Sequence, residues 1–501
     1  MAIYNIGTGS GTITIDGSKV VYKAGDTIKI KAGKYTGMVI KNINITNGYV
    51  NIINDGGVVD IAGSLQYAWV ICSFTNISGV NISGNGTPGI DKGFYFHDNR
   101  YRMIEITGIN GILKNFTLQN VKFENIGDYN IFFNNFNTVY NGTDATISSN
   151  LKFLNIEVIG TNLISGPGDP QNMKGFLKGL EIANCNFHDI PVAGTLVYWA
   201  GVEDYDIHDN IINNINTQND NHNGIFMLIG NGKIYNNKIT NHQGNLIRAW
   251  GITLGTTPKN IEIYNNIVYN SRKYGGFELQ VPPYLSDILK TNVGKLTFTN
   301  SKVYNNTVGK MNTSRDWDGL ILDLYNMNGG TLEYYNNLGF DLYRASGVPD
   351  DMINNMSDVK FAKKENNIYK VTQQEAVTDT TTFKSLIPGV GANESTIPSV
   401  PTIPITYKNV VISQQFTRND CNSNQTGSTV TYQVVAGKYT STISQEDANQ
   451  KALNDINSNG QSYANINGIC TNNSNPDPNQ TVNISIEDFN SLKSIINKYN
   501  V

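Results

Sequence analysis

The chain has 501 residues, with 37 Lys and Arg against 41 Asp and Glu, a net charge of −4. Only 16% of residues are charged, against about 25% in an average soluble protein, whereas Asn makes up roughly one residue in seven. No basic excess points to nucleic acid, 39% hydrophobic residues argue against disorder, and no apolar run approaches the roughly 18 residues that span a bilayer.

The opening Met1-Ala-Ile-Tyr-Asn-Ile-Gly7 has neither a basic n-region nor an apolar h-region, so no secretory signal is visible. Cys72 and Cys185 sit in apolar, strand-like stretches and read as buried small hydrophobes. From Ile182 onward a short pattern recurs: an apolar residue, an aromatic or polar one, Asn-Asn, then apolar. It stands at Ile207-His-Asp-Asn-Ile211, Ile234-Tyr-Asn-Asn-Lys-Ile239, Ile263-Tyr-Asn-Asn-Ile267, Val303-Tyr-Asn-Asn-Thr-Val308 and Tyr334-Tyr-Asn-Asn-Leu338. Weaker copies begin at Leu118, Phe153 and Ile182, and the intervals from Ile182 are 25, 27, 29, 40 and 31. Such a period marks a solenoid whose repeats are too small to bury their own apolar face.

The local period is 2, strand formers dominate, and Gly, Asn and Asp punctuate the short runs. Two or three strands per coil fit a parallel β-helix. Asn tolerates left-handed backbone at a turn, and stacked Asn side chains can bond amide to amide between coils.

The segment Ala24-Gly-Asp-Thr-Ile-Lys-Ile-Lys-Ala-Gly-Lys-Tyr35 resembles the first coil of right-handed parallel β-helix proteins of the pectate-lyase-like superfamily. The likeness covers about residues 20–390. It implies an all-β rod of roughly 13 coils and roughly 60 Å. It implies no one activity, because the fold carries lyases, hydrolases, isomerases, adhesins and phage tailspikes.

The expected organisation is a parallel β-helix over residues 1–386, a Pro-rich linker over 387–406, a small α+β domain over 407–470, and a tail over 471–501. Residues 387–406 hold four of the fourteen prolines and read as a linker or as a cover over the last coil. Ser428–Val435 reads as hairpin-like, and Ser444-Gln-Glu-Asp447 as a capping box for a helix to about Ile456. Cys421 and Cys470 bracket the small domain and either pair or stand as independent thiols. The stretch resembles a small uncharacterised domain of Bacteroidota surface and phage proteins. In the tail, Ile486, Phe489, Leu492, Ile496 and Tyr499 share one helical stripe, which docks on its own chain or on a partner.

Chemistry on this scaffold needs convergent carboxylates, or a base with a cation. Alternation puts Arg248 with Trp250, Glu278 with Gln280, and Asp323 with Tyr325 on one side of their strands. Stacked in register, Arg248, Glu278 and Asp323 would occupy three adjacent coils, with Glu278 and Asp323 as candidate catalytic residues. Trp199, Arg248, Trp250, Gln280 and Tyr325 would form a carbohydrate-binding surface. An outer face with scattered polar residues, a binding groove and a catalytic groove all remain open readings. Asp204/Asp206 and Asp316/Asp318 are weak candidates for Ca²⁺, and otherwise no cofactor is implied. His222 is a possible acid or base in a loop, whereas His97, His188, His208 and His242 show no ligand spacing for zinc.

The expected role is a structural and recognition protein of a phage virion, a tailspike, tail fibre or similar appendage. Its expected partners are a host-surface glycan or receptor and other virion proteins, with a homotrimer as a possible state and neither nucleic acid nor membrane as a partner. The alternatives are a polysaccharide lyase or glycoside hydrolase, and a bacterial surface adhesin. The expected location is the virion or the extracellular space.

Overall fold

The computed structural model describes residues 1–281, 283–327, 329–398, 407–441, 445–473 and 483–499. They fall into two compact units, Met1–Val400 and Pro401–Val501.

The first unit is a parallel β-helix. One 30-stranded sheet runs through it, and each of its strands pairs in parallel with a strand of the coil before or after. The register can be followed on one inward column: Ile28, Ile52, Ile82, Leu118, Phe153, Ile182, Ile207, Ile234, Ile263, Val303 and Tyr334. All are 0% exposed. The column shows why the weak repeats belong with the strong ones. Coils begin earlier than the Gly-Asp-Thr segment, since Ile3–Ile6 already pairs with Thr27–Ile30. The long interval of 40 residues between Ile263 and Val303 contains an insertion with the helix Pro283–Thr291 and the strand Leu296–Phe298, which pairs antiparallel with Ile252–Leu254 of the preceding coil. Pro283 at the first helical position was its sequence signal.

Each letter of the repeat has its own physical task. The apolar residue points into the core. The aromatic residue points out and stacks: His208, Tyr235, Tyr264, Tyr304 and Tyr335 lie face to face at 4.9–5.0 Å. The first Asn turns the chain. Asn236, Asn265, Asn305, Asn336 and Asn366 all have φ between 52° and 56°, the left-handed region that Asn tolerates. The second Asn is buried and forms a ladder. Side-chain amides donate from Asn210 to Asn237, Asn237 to Asn266, Asn266 to Asn306, Asn306 to Asn337 and Asn337 to Asn367, each at 2.9–3.0 Å.

Residues 387–398 pack on the rod, the cover that was one of the two readings of this stretch. Val390 and Ala392 are buried with Leu338 and Phe340, the Ala392 N–H donates to Thr307 Oγ1, and the Gly391 N–H donates to the Asn336 carbonyl. The remaining residues of the expected linker, 399–406, lie outside the described residues.

The second unit holds an antiparallel pair, Ile412–Thr417 with Thr429–Val434, against the helix Gln445–Asn467. That helix runs eleven residues past the expected end at Ile456. Gly460 explains the extension: a Cβ there would sit 2.1 Å from the Phe416 ring, so glycine is the residue that lets helix and strand close. Ser444, the expected cap, lies outside the described residues. Asp455 accepts from Tyr432, Tyr439, Lys438 and Asn459, and these bonds hold its carboxyl well below the usual range. Cys421 and Cys470 are joined in a disulfide. Cys72 and Cys185 are buried free thiols that burial pushes up to about 12.

Candidate functional site

The strands Asn245–Trp250, Phe277–Gln280, Leu322–Tyr325 and Ile353–Met356 stack without a slip. Arg248 faces Glu278, Glu278 faces Asp323, and Asp323 faces Asn354. Two residues on, Trp250, Gln280, Tyr325 and Met356 form a second outward column. Adjacent strands lie about 4.8 Å apart, so the two carboxyl groups are immediate neighbours.

One assignment of the sequence reading is corrected. Trp199 pairs with Leu228, which pairs with Ala249, and it is 0% exposed against Phe133 in the core. It cannot offer a ring to a ligand. The outward residue of its strand is Tyr198, which pairs through Met227 to Arg248.

Glu278 is 4% exposed and lies among three polar side chains. Its Oε1 lies 3.0 Å from Arg248 Nε and accepts from Gln280 Nε2. Its Oε2 lies 3.1 Å from His222 Nε2. Asp323, also 4% exposed, has no cation against it. Its Oδ2 accepts from Asn245 Nδ2 at 3.2 Å, and its Oδ1 has no hydrogen-bond partner among the described residues. Burial, with the negative charge of Glu278 beside it, pushes Asp323 from 3.8 up to about 7. The two carboxyls therefore differ in surroundings: Glu278 lies against Arg248 and His222, whereas Asp323, held at about 7, still carries its proton in about half of the molecules at neutral pH. The same shift has a stability consequence. Folded Asp323 binds its proton more tightly than unfolded Asp323. Its contribution is therefore fully present below about 3.8 and is lost as pH rises to about 7. At about 1.36 kcal/mol per unit, the loss amounts to about 4 kcal/mol.

Two residues from outside the stacked columns join the site. His222 is held between Glu278 and Asn245 Oδ1, 3.1 Å away, and its ring stacks on Tyr274 at 3.9 Å. Asn245 is 0% exposed and connects the two acids, because its oxygen meets His222 while its amide reaches Asp323 and the Gly275 carbonyl. His222 looked like an ordinary loop histidine, and Asn245 carried no periodic signal. Both reach the site through turns of unequal length. Those turns are tied together by Arg272 and Lys273 on Asp220, and by Lys273 on Asp316 at 2.6 Å. The rings nearest solvent are Trp317, 52% exposed, and Tyr325, 43% exposed.

The expected Ca²⁺ positions do not gather oxygen ligands. Asp204 lies 3.5 Å from Lys259, Asp316 2.6 Å from Lys273, and Asp318 3.5 Å from Arg344. A cation already lies against each of these three carboxylates. Among the described residues, the one group of three potential ligands is Asp420, Cys421 and Cys470, whose sulfurs are spent in the disulfide. A separate cleft of about 450 Å³, lined by Asp204, Asp206, Lys233, Lys259 and Glu262, lies on another column of the rod.

Residues 407–471 match a family of unknown function, DUF5977. A comparison with curated proteins returned no match. Among solved structures, a pectate lyase, Pel9A, is similar at 12% identity and a TM-score of 0.29, over 77% of this chain and 81% of that one. The A-module of the mannuronan C-5 epimerase AlgE4 of Azotobacter vinelandii is similar at 12% identity and a TM-score of 0.20, over 69% of this chain and 88% of that one. Likeness at this level carries no argument about activity. The β-helix rests on its own strand register.

Proposed function

We propose that the protein binds a bacterial surface glycan over the face of Arg248, Glu278 and Asp323 and hydrolyses it there, as part of a virion-borne or otherwise extracellular appendage that recognises a host surface. The observation that carries this reading is the pair of adjacent buried carboxyls in unlike surroundings, Glu278 against Arg248 and His222, and Asp323 beside Asn245 and held at about 7. A glycosidase needs one carboxyl that keeps a proton for the leaving oxygen and one that attacks or activates water. Asp323 is suited to the first role and Glu278 to the second. Neighbouring strands set the two about 5 Å apart, near the spacing of retaining enzymes. Arg248 and His222 orient Glu278, while Trp250, Tyr325 and Trp317 provide flat apolar faces for sugar rings. The disulfide of the second unit suits an oxidising, extracellular setting.

Recognition without cleavage, by a virion protein or by an adhesin, is the second reading. It is favoured by the contrast between the nearly closed carboxyls, 4% exposed, and the open rings of Trp317 and Tyr325. Incubation with purified bacterial surface polysaccharides separates the readings. Hydrolysis yields new reducing ends without the ultraviolet absorbance of unsaturated uronate. Unsaturated products would make the protein a lyase, and binding with neither product would leave recognition alone.

A further inference from the structure

We infer that the terminal helix Ile486–Tyr499 is a parallel self-association element that joins copies of this chain. Ile486, Phe489, Leu492, Ile495 and Ile496 are between 47% and 80% exposed, and every residue from Asn483 to Lys498 is exposed. The helix has 14 residues, including Asn490, Ser491, Ser494 and Asn497, which form helix poorly. Isolated helices shorter than about 12–15 residues are marginal in water even when rich in alanine. Local support includes a cap: Ser485 Oγ accepts from the Asp488 N–H at 3.1 Å and donates to the Asp488 carboxylate at 2.6 Å. Such a helix draws its stability from whatever covers its apolar stripe.

The spacing and charges say what covers it. Phe489, Leu492, Ile496 and Tyr499 follow intervals of 3, 4 and 3, the a and d positions of two heptads. Asp488 then occupies g and Lys493 occupies the following e. In a parallel arrangement, g of one helix meets e five residues later on its neighbour, which sets Asp488 against Lys493 of the next copy. An antiparallel arrangement pairs g with g and e with e, which sets Asp488 against Ile495 and Lys493 against Ile486 and leaves both charges without a partner there. Ile486 at e and Ile495 at g widen the stripe beyond a two-stranded seam, which favours more than two copies.

The test uses the full chain. Light scattering over a range of concentrations is expected to give a multiple of 55.2 kDa. Leu492→Asp is expected to leave only the 55.2 kDa species with the rod's melting unchanged. Asp488→Lys alone should weaken association severalfold, and Asp488→Lys with Lys493→Asp should restore it. A mass of 55.2 kDa at every concentration overturns the inference and assigns the stripe to another occupant. So does an oligomer indifferent to Leu492→Asp. Failure of the double swap to restore association overturns the parallel register.

Discussion

Glu278→Gln is expected to lower glycan hydrolysis by at least about 10³-fold, the scale on which a positioned acid, base or nucleophile acts. The substitution keeps the shape and removes the charge. Gln cannot attack, and it no longer pairs with Arg248 at 3.0 Å or His222 at 3.1 Å. It acts a second time through its neighbour. The charge on Glu278 is part of what holds Asp323 near 7, so the acid gives up its proton earlier in the variant. Because Trp250, Tyr325 and Trp317 are untouched, the dissociation constant for the glycan should stay within about threefold, a difference under about 1 kcal/mol. Reducing-end release and calorimetric binding measure the two quantities. Cleavage at the original rate would place the chemistry on other residues.

The second large effect concerns the rod. Asn306→Leu is expected to destabilise it by about 4 kcal/mol, whereas Asn305→Gly is expected to change stability by less than about 1 kcal/mol. The two residues are adjacent and chemically identical, yet their tasks differ. Asn306 is 0% exposed. Its amide donates to the Ile263 and Tyr304 carbonyls and to Asn337, and its oxygen accepts from the Asn266 backbone and side chain, all at 3.0 Å. Leucine strands those partners in a dry interior, where each unsatisfied group costs about 1–3 kcal/mol. Asn305 is there for its φ of 53°, which glycine adopts without strain. Denaturant unfolding of both variants reads the contrast. Equal losses would mean that the second Asn is no ladder residue.

Much of the rod could be read from the chain because its signal is local and repeated. Ile-Tyr-Asn-Asn puts core, outer stack, turn and ladder in four consecutive residues, and parallel stacking carries that order from coil to coil. The alignment of Arg248, Glu278 and Asp323 followed from the same alternation. Trp199 failed for a reason internal to that logic. Leu196-Val-Tyr-Trp-Ala200 is apolar at every position, so alternation alone does not say which side faces out. Only its register with Leu228 and Ala249 decides. Asn245 was missed, and His222 was named without its place in the site, because their partners lie 78 and 56 residues away, at Asp323 and Glu278. The prolines left linker and cover open for 387–398, since the place of this strap is set by bonds to Asn336 and Thr307 and not by its own pattern.

The pair of unlike carboxyls is best tested by titrating Asp323 itself, with ¹³C-carboxyl-labelled Asp and the Asp323→Asn spectrum to assign its signal. The expected midpoint is near 7 in the native protein and lower in Glu278→Gln. Asp323→Asn is also expected to unfold less readily than the native chain above pH 7, where the buried charge is removed. An ordinary midpoint near 3.8, or one that ignores Glu278→Gln, would contradict this expectation.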